Sequence, residues 1–199
     1  MAAKHHSLLQ RLPKVVGDYK ENAALAPAAW FRVGGPAEIL YRPADIEDLA
    51  LFLASKPSDI PVTLFGSGSN ILVRDGGIPG VVIRLGSAFR ECRAEWREDS
   101  ALVHVGAGAI DISVARICRD SGVAGLEFLV GIPGTIGGAL RMNAGAYGRE
   151  MADVTVAAEA LDANGSRQRL TLKDLGYSYR HSAAPEDLIF VSATLRGTR

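Results

Sequence analysis

Six glycines fall within the 18 residues Gly131-Ile132-Pro133-Gly134-Thr135-Ile136-Gly137-Gly138-Ala139-Leu140-Arg141-Met142-Asn143-Ala144-Gly145-Ala146-Tyr147-Gly148. No other stretch restricts the fold so strongly. Glycine has no side chain to bury, so such a run cannot build a core of its own. Its shape must come from whatever lies directly on its backbone. Pro133 fixes a turn, and Gly137-Gly138-Ala139 is almost free of side-chain bulk. Two kinds of partner suit such a surface: another piece of backbone, or a flat or extended ligand. A helix beginning near Thr135 would also offer N–H groups to an anion. Packing alone explains some of these glycines, and both partners stay open.

A second glycine loop, Gly66-Ser67-Gly68-Ser69-Asn70, follows a short apolar strand at residues 62–65. Its glycines permit positive φ and close approach of a ligand to the main chain. Consecutive N–H groups can converge on phosphate oxygens, and Ser67, Ser69 and Asn70 add side-chain donors. No lysine follows, so this is not the G-x-x-x-x-G-K-[ST] loop, and it is not G-x-G-x-x-G either. An ordinary turn of small polar residues fits equally well. A third segment, Tyr177-Ser178-Tyr179-Arg180-His181-Ser182, sets an arginine among aromatics and hydroxyls. It can grip a carboxylate or phosphate with two prongs. Taken alone, it reads more simply as a surface strand with a solvated arginine.

The apolar pattern predicts a short helix at residues 7–16, with Pro13 as a complication. A strand at 37–41 precedes a helix capped by Asp45, with Ile46, Leu49 and Leu53 inward. With strands at 62–65 and 80–85, residues 1–85 form a first βαββ-type subdomain. The second, 86–199, is α+β. It has paired strands at 89–96 and 101–106 around a turn at 97–100. A helix at 111–121 carries Val114, Ile117 and Cys118 on one face and stops at Gly122. A hairpin joins 154–161 to 167–172 across Ala163-Asn164-Gly165, and a last strand covers 187–195.

Composition narrows the function. A net charge of +0 offers no basic field for nucleic acid. No run approaches the roughly 18 apolar residues of a membrane span, and the N-terminus lacks a signal-peptide core. These readings imply a cytoplasmic protein with neither nucleic acid nor membrane as partner. Cys92 and Cys118 lie far apart in sequence and show no metal-ligand spacing. His5-His6 reads as a solvated terminus. No metal site is expected.

Several segments, taken together, are specific. Asn22 and Leu25, then Phe31-Arg32-Val33-Gly34-Gly35-Pro36-Ala37, resemble the entry motif N-x-x-L…T-x-F-R-x-G-G-P-A of the UDP-N-acetylenolpyruvoylglucosamine reductase family. Gly66-Ser67-Gly68-Ser69-Asn70-Ile71-Leu72 resembles its G-x-G-S-N-x-L loop. Gly125-Leu126-Glu127 with the 131–148 block resembles G-L-E…G-I-P-G-T-x-G-G-A…M-N-A-G-A-Y-G, and Tyr179-Arg180-His181-Ser182 resembles Y-R-x-S. The matches come in family order across residues 22–182.

That resemblance implies an α+β, two-subdomain FAD fold of the vanillyl-alcohol-oxidase (PCMH) type, with FAD between the subdomains. It implies that Gly66, Ser67, Gly68, Ser69 and Asn70 cradle the pyrophosphate. Gly131, Ile132, Pro133, Gly134, Thr135, Gly137, Gly138 and Ala139 would line the flavin and its linker, with Asn143, Ala144 and Gly145 near the isoalloxazine. Tyr147 and Tyr179 would lie near the substrate, and Arg180 would be the active-site arginine. The implied reaction is bacterial: NADPH reduces FAD, and FAD reduces the enolpyruvyl group of a UDP-sugar to UDP-N-acetylmuramate for peptidoglycan.

Trp30 departs from the family's threonine. The family also continues into a third domain with a proton-donating serine and a glutamate. This chain has no G-S-x-F-K-N-P-like segment, and Ser182 and Ser192 have the wrong setting to replace that serine. The chain is therefore expected to lack the substrate domain and the second half-reaction. Alternatives are another flavin oxidoreductase of this fold, against which the M-N-A-G-A-Y-G and Y-R-x-S pair argues, or a non-catalytic FAD-binding or regulatory module. Oligomeric state stays open.

Overall fold

The structure, a computed structural model, describes residues 7–199; His5 and His6 lie outside them. The chain divides into two compact units, Met1–Arg84 and Leu85–Arg199. No helix among the described residues is long and apolar enough to cross a membrane.

The first unit holds β1 (Asp18–Ala24), β2 (Pro36–Arg42), α1 (Ile46–Ser55), β3 (Val62–Leu64) and β4 (Ile78–Ile83) in a sheet of order β1-β2-β4-β3. β1 runs antiparallel to β2, while β4 runs parallel to both β2 and β3. Asp45 caps α1 as its sequence predicts, its Oδ1 accepting the Asp48 N–H at 2.8 Å. Leu49, Phe52 and Leu53 form the buried face of α1, and the Phe52 ring lies 4.6 Å from that of Tyr41. Leu40 and Val82 belong to a second apolar cluster with Phe65, Leu25 and Val73.

Two readings of this unit need correction. Residues 7–16 form only a 3-10 turn, Leu8–Arg11, after which Leu12 is extended. Pro13 has no N–H to give a helix and pushes its predecessor into the extended region. The N–H groups of Val16 and Gly17 go instead to the two oxygens of Asp48, at 2.7 and 2.9 Å. β1 was invisible in the pattern because it is an edge strand with one buried residue, Ala23. It has no apolar alternation to announce it.

Asp48 fastens this unit. It is 3% exposed, and its Oδ2 also accepts the Tyr41 hydroxyl at 2.8 Å and the Ala44 N–H at 3.0 Å. Burial alone would raise its pKa, but the hydrogen bonds from Ala44, Val16, Tyr41 and Gly17 outweigh it and hold the carboxyl below its ordinary value.

The second unit holds β5 (Cys92–Arg97), β6 (Ser100–Gly106), α2 (Asp111–Asp120), α3 (Ile136–Met142), β7 (Gly145–Ala146), β8 (Arg149–Glu150), β9 (Thr155–Leu161), β10 (Arg167–Thr171), α4 (Leu172–Leu175) and β11 (Ile189–Thr198). Five strands form an antiparallel sheet, β10-β9-β11-β6-β5. β7 and β8 pair separately. Val103, Leu161 and Leu195 of the sheet and Leu129, Ile136 and Leu140 beside it are fully buried. At the β9–β10 turn Asp162 Oδ1 accepts the N–H groups of Asn164 and Ser166, at 2.8 and 2.9 Å, and Gly165 takes φ 77°. β10 stops one residue earlier than its sequence suggests, because Thr171 and Asp174 form a capping box that opens α4. Both units mix helix and strand, an α+β fold.

Asp111, the first residue of α2, is fully buried, and neither carboxyl oxygen meets a hydrogen-bond partner among the described residues. Burial pushes its pKa up to about 8, so near neutral pH it is a carboxylic acid.

The two aspartates predict opposite pH dependences. For Asp48 the native pKa is depressed. Its contribution is complete above the unfolded value, about 3.9, and is lost as pH falls through the native one. Asp48→Asn should cost about 2–4 kcal/mol near neutrality, since it sets an amide against N–H donors. In thermal melts the gap should shrink on acidification; a pH-independent gap would mean that Asp48 acts by packing alone. For Asp111 the native pKa is raised. Its contribution is complete below the unfolded value and is lost as pH rises, through about 8. Asp111→Asn should therefore gain on wild type between about pH 5 and about pH 9, by on the order of a few kcal/mol. Urea unfolding at both pH values measures it, and parallel curves would show that Asp111 does not hold a proton.

Candidate functional site

Within the first unit, β3 delivers the chain to buried Phe65, whose N–H bonds Ile83 O at 2.9 Å. The turn 66–70 follows. Gly68 is buried with φ +66°, and a Cβ there would lie 2.8 Å from both Ala29 Cα and Phe65 Cζ. Its carbonyl accepts the Trp30 N–H at 3.2 Å. The backbone of residues 28–30 thus holds the turn, while Trp30 and Phe31 stay 60% and 63% exposed. Ser67 Oγ bonds Ser69 Oγ at 3.1 Å, and Gly66 and Asn70 face solvent. The backbone N–H groups of Gly66, Gly68, Ser69 and Asn70 donate to no acceptor among the described residues. Unpaired donors gathered in a short turn are the elements from which anion-binding concavities are built.

In the second unit the glycine block lies on the loop after β6. Ile136 N–H bonds Ala109 O at 3.0 Å, Gly137 N–H bonds Ala107 O at 2.8 Å, and Asp111 N–H bonds Gly134 O at 3.2 Å. A Cβ on Gly137 would sit 3.1 Å from Ala107 Cβ. One on Gly134 would sit 2.7 Å from Asp111 Oδ2, and one on Gly131 2.7 Å from the Tyr147 ring. These three glycines serve chain packing. Gly138 differs: it is exposed, and the nearest atom to its Cβ position is Thr135 Oγ1 at 3.7 Å. Ile132 and Ala139 are buried, while Pro133 is exposed and Thr135 half-buried before α3.

Asn143 ends α3 in the left-handed conformation, φ 41°, and is 2% exposed. Both ends of its amide are engaged: Nδ2 donates to Ser178 O at 3.1 Å and Oδ1 accepts the Ala152 N–H at 2.9 Å. Ala144 is half-buried and Gly145 exposed beside it. The strand expected at 177–182 is instead a tight turn. Ser178 and His181 exchange backbone hydrogen bonds of 3.0 and 3.1 Å, with Tyr179 and Arg180 at the tip. Arg180 holds φ 53°, and Tyr179 is 87% exposed. Ser182 is buried, its Oγ donating to Leu175 O at 3.0 Å.

Asn143 therefore ties the glycine block to the turn that presents Arg180. Arg141 adds a second tie. Its guanidinium donates to the carbonyls of Ala184 (2.8 Å), Pro185 (3.0 Å) and Leu188 (2.6 Å) and lies 4.9 Å from the centre of the Phe190 ring. Sequence reasoning passed over Arg141 and Asp111. Arg141 sits inside the block and was open to suspicion there; nothing in the sequence marks Asp111 as partnerless.

A family model described as "FAD binding domain" matches residues 37–171, which hold both glycine segments but not the Arg180 turn. The UDP-N-acetylenolpyruvoylglucosamine reductase of Parvibaculum lavamentivorans is 56% identical over 96% of this chain and 61% of its own length. That of Paramagnetospirillum magneticum is 54% identical over 98% and 62%. This chain thus spans about three fifths of such relatives. Among solved structures, UDP-N-acetylenolpyruvylglucosamine reductase from Thermus caldophilus superposes with a TM-score of 0.75 at 32% identity, covering 94% of this chain and 64% of that one. The 6-hydroxy-D-nicotine oxidase of Arthrobacter nicotinovorans, at TM-score 0.69 and 16% identity over 94% and 43%, shares the fold alone. With a donor-rich turn in one unit and a solvent-facing glycine in the other, both inside the segment 37–171 that the family model matches, the chain belongs to the FAD-binding domain family.

Proposed function

We propose that this chain is the FAD-holding part of a UDP-N-acetylenolpyruvoylglucosamine reductase, working in the cytoplasm on a UDP-sugar precursor of peptidoglycan. The observation that carries the reading is identity of 54–56% to such reductases along almost the whole chain. Oxidases of other substrates share only the fold, at 16% identity.

The residues fit the cofactor. The free N–H groups of Gly66, Gly68, Ser69 and Asn70 suit the two negative charges of a pyrophosphate. The side-chain-free face of Gly138 suits a flat ring or its linker. Held by these residues, FAD would supply the hydride chemistry between NADPH and the enolpyruvyl double bond. The chain's own work is to bind and orient. Arg180, presented at a turn tip with a permanent charge, holds the enolpyruvyl carboxylate and offsets the electron density that builds beside it. Tyr147 and Tyr179, exposed in the same unit, give the sugar nucleotide flat faces to lie on. Asn143 and Arg141 keep that turn in place by the bonds described above.

Two measurements test this. The purified chain should take up FAD and keep its flavin absorption bands through gel filtration. Gly66→Val and Gly138→Val should each weaken uptake at least tenfold, about 1.4 kcal/mol, with unchanged melting. Gly137→Val should instead destabilise the fold by about 1–3 kcal/mol, by forcing a side chain onto Ala107. A colourless folded protein, or full uptake by both solvent-facing variants, would overturn the assignment. In the full-length enzyme Arg180→Met should leave NADPH-driven flavin reduction intact and slow sugar reduction by on the order of a hundredfold or more; equal loss in both steps would deny Arg180 its substrate role.

A further inference from the structure

Cys92 and Cys118 are 26 positions apart in sequence and play no part in the proposed flavin site. The fold brings them together. Cys92 opens β5, an edge strand, and Cys118 lies on the buried face of α2, which packs against β5. The two thiols lie close enough to perturb one another's ionisation. Cys92 is half-buried, while Cys118 is 2% exposed. We propose that Cys92 and Cys118 form a peroxide-oxidisable thiol pair, Cys92 the attacking and Cys118 the resolving sulfur, closing to an intramolecular disulfide that fastens α2 to the edge of the sheet.

The chemistry needs one oxidant, hydrogen peroxide or an equivalent hydroperoxide. The Cys92 thiolate attacks a peroxide oxygen. The O–O bond breaks, hydroxide leaves and takes up the proton lost from Cys92, and Cys92 becomes a sulfenic acid. The Cys118 sulfur then attacks the Cys92 sulfur. The S–S bond forms, the S–O bond breaks, and the hydroxyl leaves as water with the Cys118 proton. Two thiols are oxidised and one peroxide becomes two waters. The proximity of the two sulfurs supports these roles: it draws the Cys92 pKa below the ordinary thiol value against burial and pushes that of Cys118 up, with burial adding to the rise.

The opposite end of α2 is bonded to the glycine block, through Asp111 N–H to Gly134 O and the bridge between Ile110 and Thr135. The pair is therefore joined by one helix to the segment proposed to line the flavin. The inference does not depend on that proposal, because it is read from sulfur chemistry alone.

The test treats the folded, fully reduced wild-type chain with peroxide, quenches with acid, and alkylates in denaturant with N-ethylmaleimide. Trypsin cuts after Arg90, Arg93, Arg116 and Arg119. The expected product is Glu91-Cys92-Arg93 joined to Ile117-Cys118-Arg119, with no maleimide on either and both restored by dithiothreitol. Cys118→Ser should instead accumulate a Cys92 sulfenic acid that dimedone traps, and Cys92→Ser should leave Cys118 unoxidised. Circular dichroism checks that both variants fold, and the wild-type map decides the matter if one does not. Two alkylated thiols after peroxide, Cys92 carried to sulfinic acid while Cys118 stays free, or a cross-link found only between two copies of the chain would overturn the pair.

Discussion

The glycine block can exist in this conformation only because the loop after β6 receives it backbone to backbone. Ala107, Ala109 and Asp111 exchange hydrogen bonds with Gly137, Ile136 and Gly134, satisfying polar groups that sit too deep for water. That ladder needs the chains close, and closeness is why a Cβ on Gly137 would press on Ala107, 3.1 Å away. With α3 pinned by its first turn, its far end is fixed too. Asn143 and Arg141 then hold residues 178–188 by carbonyl contacts. The exposed Arg180 turn thus inherits its position from a buried hydrogen-bond ladder.

The two buried aspartates illustrate how context sets charge. Asp48 gathers three N–H groups and a hydroxyl and remains an anion. Asp111 meets no donor on either oxygen among the described residues, and burial raises its pKa to about 8. The first is a fastening for the start of the chain. The second places a neutral, polar group beneath Gly134, where a charge would find no counterpart.

Much of this was legible in the sequence. α1 was announced by Asp45 and its apolar spacing, the β9–β10 turn by Asn164-Gly165, and both glycine segments by their composition. The remainder depended on contacts distant along the chain. β1 is solvated on most of its length and owes its strand character to pairing with β2. The glycines looked alike as letters, yet Gly137 is walled in by Ala107 while Gly138 faces outward, a difference only the partner segment creates. Tyr179-Arg180 read as strand because nothing local predicts the reciprocal bonds of Ser178 and His181.

β11 comes from the last residues of its unit, yet it lies in the middle of the sheet, between β9 and β6. The β5–β6 and β9–β10 hairpins are local and can close early. They cannot join until Ile189–Thr198 is available to bridge them. During synthesis on a ribosome, the unit therefore waits as two separate ribbons with open edges, and in that interval pairing with other chains competes with completion of the sheet.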